Sequence, residues 1–177
     1  MINVNKEVMD KMAKAGDFIL TQDNNPISEI IMTGEQGSFA HSAIVSGENT
    51  IIEAMPNGVV ENPIHYERYA VFSVVNITDE QRQKAVNYAK SHIGEKYDYL
   101  QDVGFALNGL RELIGLKRIP DLWEEHGKII CSALVDMSYR DEGIILRSDR
   151  DAGDVTPTGL SFSTEVRLTE NHNLWEL

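Results

Sequence analysis

Between residues 41 and 75 the chain carries three short apolar runs: His41 to Val45, Thr50 to Met55 and Ala70 to Val75. Ser46-Gly47-Glu48-Asn49 and the turn-rich Pro56-Asn57-Gly58 part them. Runs of this length, rich in Ile and Val and bounded by turn residues, predict strands of a mostly antiparallel sheet. Another strand is expected at Phe18-Ile19-Leu20, directly after Gly16-Asp17. Elsewhere the spacing is helical. Residues 4 to 14 read as a helix, and Asn25-Pro26 opens a brief one that ends near Gly34. Thr78 and Gln81 form a capping box, after which Ala85, Val86, Ala89 and Ile93 share one helical face up to Gly94. Leu100, Val103, Leu107, Leu110 and Leu113 place an amphipathic helix over Tyr99 to Ile114, and an irregular stretch with Pro120 and Trp123 follows. Ile129 to Tyr139 predicts the next helix, with Ala133, Leu134 and Met137 inward and Cys131 in its first turn. Thr156-Pro157 reads as a turn, and a short final strand is expected around Val166-Arg167-Leu168.

A mostly antiparallel sheet together with several helices indicates an α+β fold. No repeat, low-complexity segment or Pro/Gly/Ser linker divides the 177 residues, so one domain is expected over 1–177, with its core at about 16–170. Sixteen basic against twenty-eight acidic residues leave a formal charge of -12. Such a surface repels phosphate backbones and anionic headgroups, so nucleic acid is not an expected partner. The N-terminus has neither a signal-peptide pattern nor an apolar stretch long enough for a span, which predicts no membrane insertion and a cytoplasmic location. Delivery by another machine or release on lysis is equally compatible. Nothing in the pattern points to a particular oligomeric state.

Candidate chemistry narrows quickly. A single cysteine excludes an internal disulfide and any multi-thiolate zinc site. There is no H-E-x-x-H motif, and Gly34-Glu35-Gln36-Gly37 lacks the lysine of a phosphate loop, so neither a metal nor another cofactor is expected. His65, His92, His126 and His172 lie in polar or helix-end contexts and read as surface residues, and Asp149, Asp151 and Asp154 read as a solvated acidic loop. That leaves Cys131, His41 and Glu53. At a helix start, unsatisfied N–H groups and the helix dipole favour a thiolate, which is the nucleophilic form. A cysteine beside Ile130 and Leu134 is more often simply core packing, and on that local context alone packing is the favoured reading. Glu53 lies twelve positions after His41, on the adjacent strand of a hairpin, where it can orient an imidazole. It can as readily point to solvent from a half-exposed strand.

The ordered motifs carry a family resemblance. Gly94-Glu95-Lys96-Tyr97-Asp98, followed by Cys131-Ser132-Ala133-Leu134-Val135, resembles the NlpC-type papain-like cell-wall hydrolases, in which a G-x-x-Y loop precedes a D-C-S-G-L-V helix. Those enzymes place the histidine strand after the cysteine helix, whereas here Phe39-Ala40-His41-Ser42-Ala43-Ile44-Val45 comes ninety residues before the cysteine. That order is similar to the circularly permuted, YiiX-like branch, whose chains run through G-D-x-I-L, H-x-x-I-V and I-x-E-A segments. This chain has Gly16-Asp17-Phe18-Ile19-Leu20, His41-Ser42-Ala43-Ile44-Val45 and Ile51-Ile52-Glu53-Ala54 in the same order. The resemblance spans roughly residues 16 to 160. Ile130 stands where the unpermuted enzymes have aspartate and Ala133 where they have glycine, and the stretch between Tyr97 and Cys131 is long.

The resemblance implies a permuted papain-like fold, an antiparallel sheet packed on helices with the cysteine at a helix N-terminus. It also implies Cys131 as nucleophile, His41 as general base and Glu53 as the residue that orients it. Tyr97 then lines the site, and Asp98 and Ser132 join it as substrate contacts. The implied reaction is hydrolysis of an amide in a peptide-like or small-molecule substrate, such as a cell-wall peptide, through an acyl-enzyme. Two other readings stay open: an acyltransferase or lipid esterase similar to the lecithin retinol acyltransferase group, and a non-catalytic binding module on the same fold.

Overall fold

The computed structural model describes residues 13–22, 37–55, 57–95, 131–151 and 155–174. The helices expected over 4 to 14, 25 to 34 and 99 to 114 lie outside these residues, apart from Ala13 and Lys14, which are not helical. The strands are β1 (Phe18–Thr21), β2 (His41–Gly47), β3 (Thr50–Met55), β4 (Gly58–Pro63), β5 (Tyr69–Val74) and β6 (Val166–His172). The helices are α1 (Asp79–Ser91), α2 (Cys131–Arg140) and α3 (Pro157–Ser161). All strand pairs are antiparallel, and the six strands form one sheet in the order β4-β3-β2-β1-β5-β6. This is the α+β architecture that the pattern of runs and helical spacing predicts.

Alternation along the central strands divides their side chains between the two faces of the sheet. Phe18, Leu20, Ile44, Ile52 and Phe72 pack with Ala85, Val86 and Ala89 of α1 and with Leu134 and Val135 of α2. Ile19, Ala43, Val45, Ile51 and Val71 gather as a second buried cluster. Burial on both faces is why these strands read as continuous apolar runs rather than as alternating ones.

Differences from expectation fall at the sheet edges and at element ends. Pro56-Asn57-Gly58 is followed by β4, which the pattern did not indicate, because an edge strand bearing Glu61, Asn62 and Pro63 has little apolar signal. Gly58 adopts φ +121°, and a Cβ there would stand 2.7 Å from the Glu95 carbonyl oxygen. This close approach lets the Val59 amide donate to that carbonyl at 2.9 Å and so fastens the end of α1 to the edge strand. Ile93, expected inward, is 45% exposed because α1 ends at Ser91 and its helical spacing no longer applies. Met137 is only half-buried. Thr156-Pro157 is a helix start rather than a simple turn: Thr156 caps α3 and Pro157 occupies its first turn. The final strand is longer than expected, running to His172.

Gly16-Asp17 joins β1 to both long helices. Gly16 has φ +81°, and a Cβ on it would lie 2.7 Å from that of Arg82 in α1. Its carbonyl accepts a hydrogen bond from the Tyr139 hydroxyl of α2. The buried Asp17 carboxylate accepts from Arg82 Nη1 at 2.6 Å, Ser73 Oγ at 2.7 Å and the Lys14 amide at 2.8 Å. Arg82→Ala strands this charge, and breaking a buried pair in this way costs about 3–5 kcal/mol. Urea unfolding followed by circular dichroism is expected to show a loss of that size, while Lys84→Ala, whose exposed ammonium pairs with Glu80 and Glu142, is expected to leave the urea midpoint nearly unchanged.

Candidate active site

His41 opens β2, and Ala43, two residues on, pairs with Glu53 of β3. Two residues is one strand repeat, so His41 and Glu53 share a face. His41 Nε2 lies 3.0 Å from Glu53 Oε2. The other bonds to the carboxylate come from sequence further on: Tyr66 donates to Oε2 at 2.6 Å, and Asn62 Nδ2 donates to Oε1 at 2.9 Å. Glu53 is 0% exposed, so of its two readings the buried one holds. Burial pushes its carboxyl up, but hydrogen bonds and charge from His41, then the Tyr66 and Asn62 bonds, outweigh it and bring the value down to about 2.

With Nε2 held by Glu53, Nδ1 is the ring atom left for a further partner. The Cys131 side chain is the hydrogen-bond and charge partner of His41, although ninety residues separate the two in sequence. Burial is the largest single influence on the His41 ring and lowers its value. Cys131 and then Glu53 raise it by more, to about 10. The imidazole thus sits between two groups that both favour its protonated form. Cys131 stands at the first described position of α2 and is buried, packed with the core that includes Phe39 and Leu134.

Three of the residues that sequence reasoning singled out, Cys131, His41 and Glu53, are therefore brought together. Ser132 is not presented to a substrate: it is 0% exposed and its hydroxyl donates to the Val155 carbonyl. As the residue after Cys131 on a helix, it points a quarter-turn or more away from its neighbour's direction. Tyr97 and Asp98 lie outside the described residues, as do His126 and Asp154. His92 bonds the Tyr88 carbonyl and His172 pairs with Glu170, both clear of the site. His65 is exposed but leans at a tilt on Tyr66, with ring centres 4.3 Å apart, and its Nδ1 lies 3.9 Å from Glu53 Oε1, so it belongs to the margin of the site. Asp149 is paired with Arg147. Sequence reasoning missed Asn62 and Tyr66. Asn62 is legible only once β4 is known, since it stands two residues from Val60, the partner of Glu53.

Comparison with protein families finds a match over residues 12–105 to the family described as permuted papain-like amidase enzymes, YaeF/YiiX, C92. Among solved structures, the chain resembles the metalloprotein YiiX from Escherichia coli O157:H7, with a TM-score of 0.63 and 17% identity. That match covers 90% of this chain and 98% of the other. At this identity the likeness establishes the fold. No curated protein matches. Among the described residues, no group of three His, Cys, Asp or Glu side chains is placed to hold a metal ion, and no helix is long and apolar enough to cross a membrane.

Two titrations test the site. A ring held at about 10 keeps its proton well above the ordinary 6.5, so the His41 nitrogen resonances are expected to report imidazolium through neutral pH. Cys131→Ala removes the main raising influence and is expected to move the midpoint to lower pH; an unmoved midpoint contradicts the contact. Glu53 has its value lowered from 4.5 to about 2, so its stabilisation is present above pH 4.5 and is lost as pH falls through that window. Urea midpoints of Glu53→Gln, which cannot titrate, are expected to vary less with pH over the same window than those of the unaltered protein.

Proposed function

The chain belongs to the YaeF/YiiX (C92) family of permuted papain-like amidases, and from that premise we propose that it hydrolyses an amide bond in a peptide-like substrate through a Cys131-His41-Glu53 triad. The observation that carries this reading is the position of His41, in contact with the Cys131 side chain and with the buried Glu53 carboxylate. In the proposed first step the Cys131 thiolate adds to the substrate carbonyl carbon, and the carbonyl π pair moves onto oxygen. The Cys131 backbone N–H, at the start of α2, is the natural donor to that oxyanion. Collapse re-forms the carbonyl and breaks the C–N bond, and His41 Nδ1 gives its proton to the departing amine. Water then adds to the thioester, giving its proton to His41, and collapse expels the Cys131 sulfur as thiolate, releasing a carboxylic acid and restoring the thiolate–imidazolium pair. Glu53 keeps Nε2 protonated and the ring in line throughout; Asn62 and Tyr66 keep Glu53 in place.

A soluble peptide is favoured over a lipid ester by charge. A chain at -12 is repelled by anionic bilayers and attracts the amino groups of peptide stems, including those of cell-wall peptides. Purified protein incubated with murein-type peptides is expected to release amine and acid products, followed by mass spectrometry, with Cys131→Ala reduced by at least about 10³-fold. Cysteine-dependent acyl release from short-chain phospholipid, with peptides untouched, would transfer the assignment to the acyltransferase or esterase class. A reaction that survives in Cys131→Ala removes the thiol from the mechanism.

A further inference from the structure

Away from the His41 pair, a concavity of about 300 Å³ lies between the loop after α2 and helix α3. Arg147, Arg150, Val155, Thr158 and Phe162 contribute to its walls. Arg147 spends Nε and Nη2 on the Asp149 carboxylate, at 2.8 Å each, and one donor of Nη1 on the Gly159 carbonyl at 2.5 Å. Among the described residues, its remaining guanidinium N–H groups meet no further hydrogen-bond acceptor. Arg150 stands 3.9 Å from the same carboxylate and is 56% exposed in its side chain. Arg147 and Arg150 share the Asp149 carboxylate and are the charged side chains on the cavity wall among the described residues, in a chain whose formal charge is -12.

The cavity is tied to both halves of the candidate site. Arg140, paired with Asp136 inside α2, donates to the Arg147 and Arg150 carbonyls at 3.0 and 2.8 Å, so the helix that begins with Cys131 holds the cationic loop. Val155 accepts its hydrogen bond from Ser132, the neighbour of Cys131. The Thr158 hydroxyl bonds the Phe39 amide at 3.1 Å and the Phe39 carbonyl at 3.2 Å, two residues before His41. Phe162, 75% exposed, adds an apolar wall.

We propose that this cavity is a subsite for a carboxylate-bearing end of the substrate, gripped by Arg150 with Arg147 and flanked by Phe162. The proposal rests on the peptide-amidase reading and deepens it, because a carboxylate is the anion that a peptide terminus or acidic side chain supplies. A planar carboxylate matches a guanidinium fork. Asp149 on the same rim opposes a doubly charged phosphate more strongly than a singly charged carboxylate.

Binding separates this proposal from the reading beneath it. Cys131→Ala protein, which cannot turn over, is titrated with N-acetyl-alanyl-alanine, with its C-terminal amide and with inorganic phosphate, following the Arg150 and Phe162 resonances. The acid is expected to bind at least about tenfold more tightly than the amide. Arg150→Gln is expected to erase that difference and Arg150→Lys to restore part of it. Equal binding of acid and amide, no binding of either, a difference untouched by Arg150→Gln, or phosphate binding more tightly than the acid each overturns the proposal. If the acid binds as expected and the native protein cleaves no peptide, the subsite stands and the amidase reading falls.

Discussion

An ionised carboxylate with no exposure to water, in the middle of a strand otherwise made of Ile51, Ile52 and Ala54, is the constraint around which the sheet is arranged. Leaving it unpaired costs several kcal/mol. Its hydrogen-bond partners come from three different segments: His41 on β2, Asn62 on β4 and Tyr66 in the connection to β5. Satisfying Glu53 therefore selects the register of both neighbouring strands. A slip by one residue on either side would turn the partner to the opposite face and leave the charge alone. The same requirement has a chemical consequence, because the group that must be paired is paired with the imidazole proposed as the base. Stability of the sheet and orientation of the His41 ring rest on one set of hydrogen bonds.

Cys131, the proposed nucleophile, arrives by a separate route. Gly16-Asp17 receives Tyr139 from α2 and Arg82 from α1, so both helices are anchored at the start of β1. β1 in turn pairs with β2 and places Thr21 opposite His41. A helix fixed at its far end by Tyr139 and running back to Cys131 brings its first residue to the His41 ring. Ser132 contributes by holding Val155, an internal role rather than one at the substrate. The permuted order of the chain is physically immaterial to this outcome, since what the chemistry needs is the meeting of a helix start and a strand start, whatever path connects them.

Local signals made much of this legible. The capping box of Thr78 and Gln81 forms as its spacing indicates, and the doubly buried runs of β1, β2, β3 and β5 are uninterrupted enough to be read as strands. His41 and Glu53 were readable as a pair because a short hairpin joins them and the strand period of two puts them on one face. β4 and the outer part of β6 were not legible, because edge strands carry polar residues such as Glu61, Asn62, Thr169 and Glu170, with no alternation to distinguish them from loops. The partners of Glu53 beyond His41 depended on β4 and were lost with it. The bond of Ser132 to Val155 was not legible, because adjacency to Cys131 in sequence says nothing about direction on a helix. The contact between Cys131 and His41 came from motif order, not from any local pattern, since no periodicity reaches across ninety residues.

The account turns on a covalent bond forming at one sulfur with help from one ring. Rapid acid quench of the protein mixed with an acyl-peptide aminomethylcoumarin, followed by intact-mass and fragment analysis, tests this most directly. The account predicts a mass increase equal to the acyl group, confined to the fragment that contains Cys131 and absent from His41→Ala. Substrate turnover with no adduct on Cys131, or an adduct that forms equally fast in His41→Ala, would contradict it.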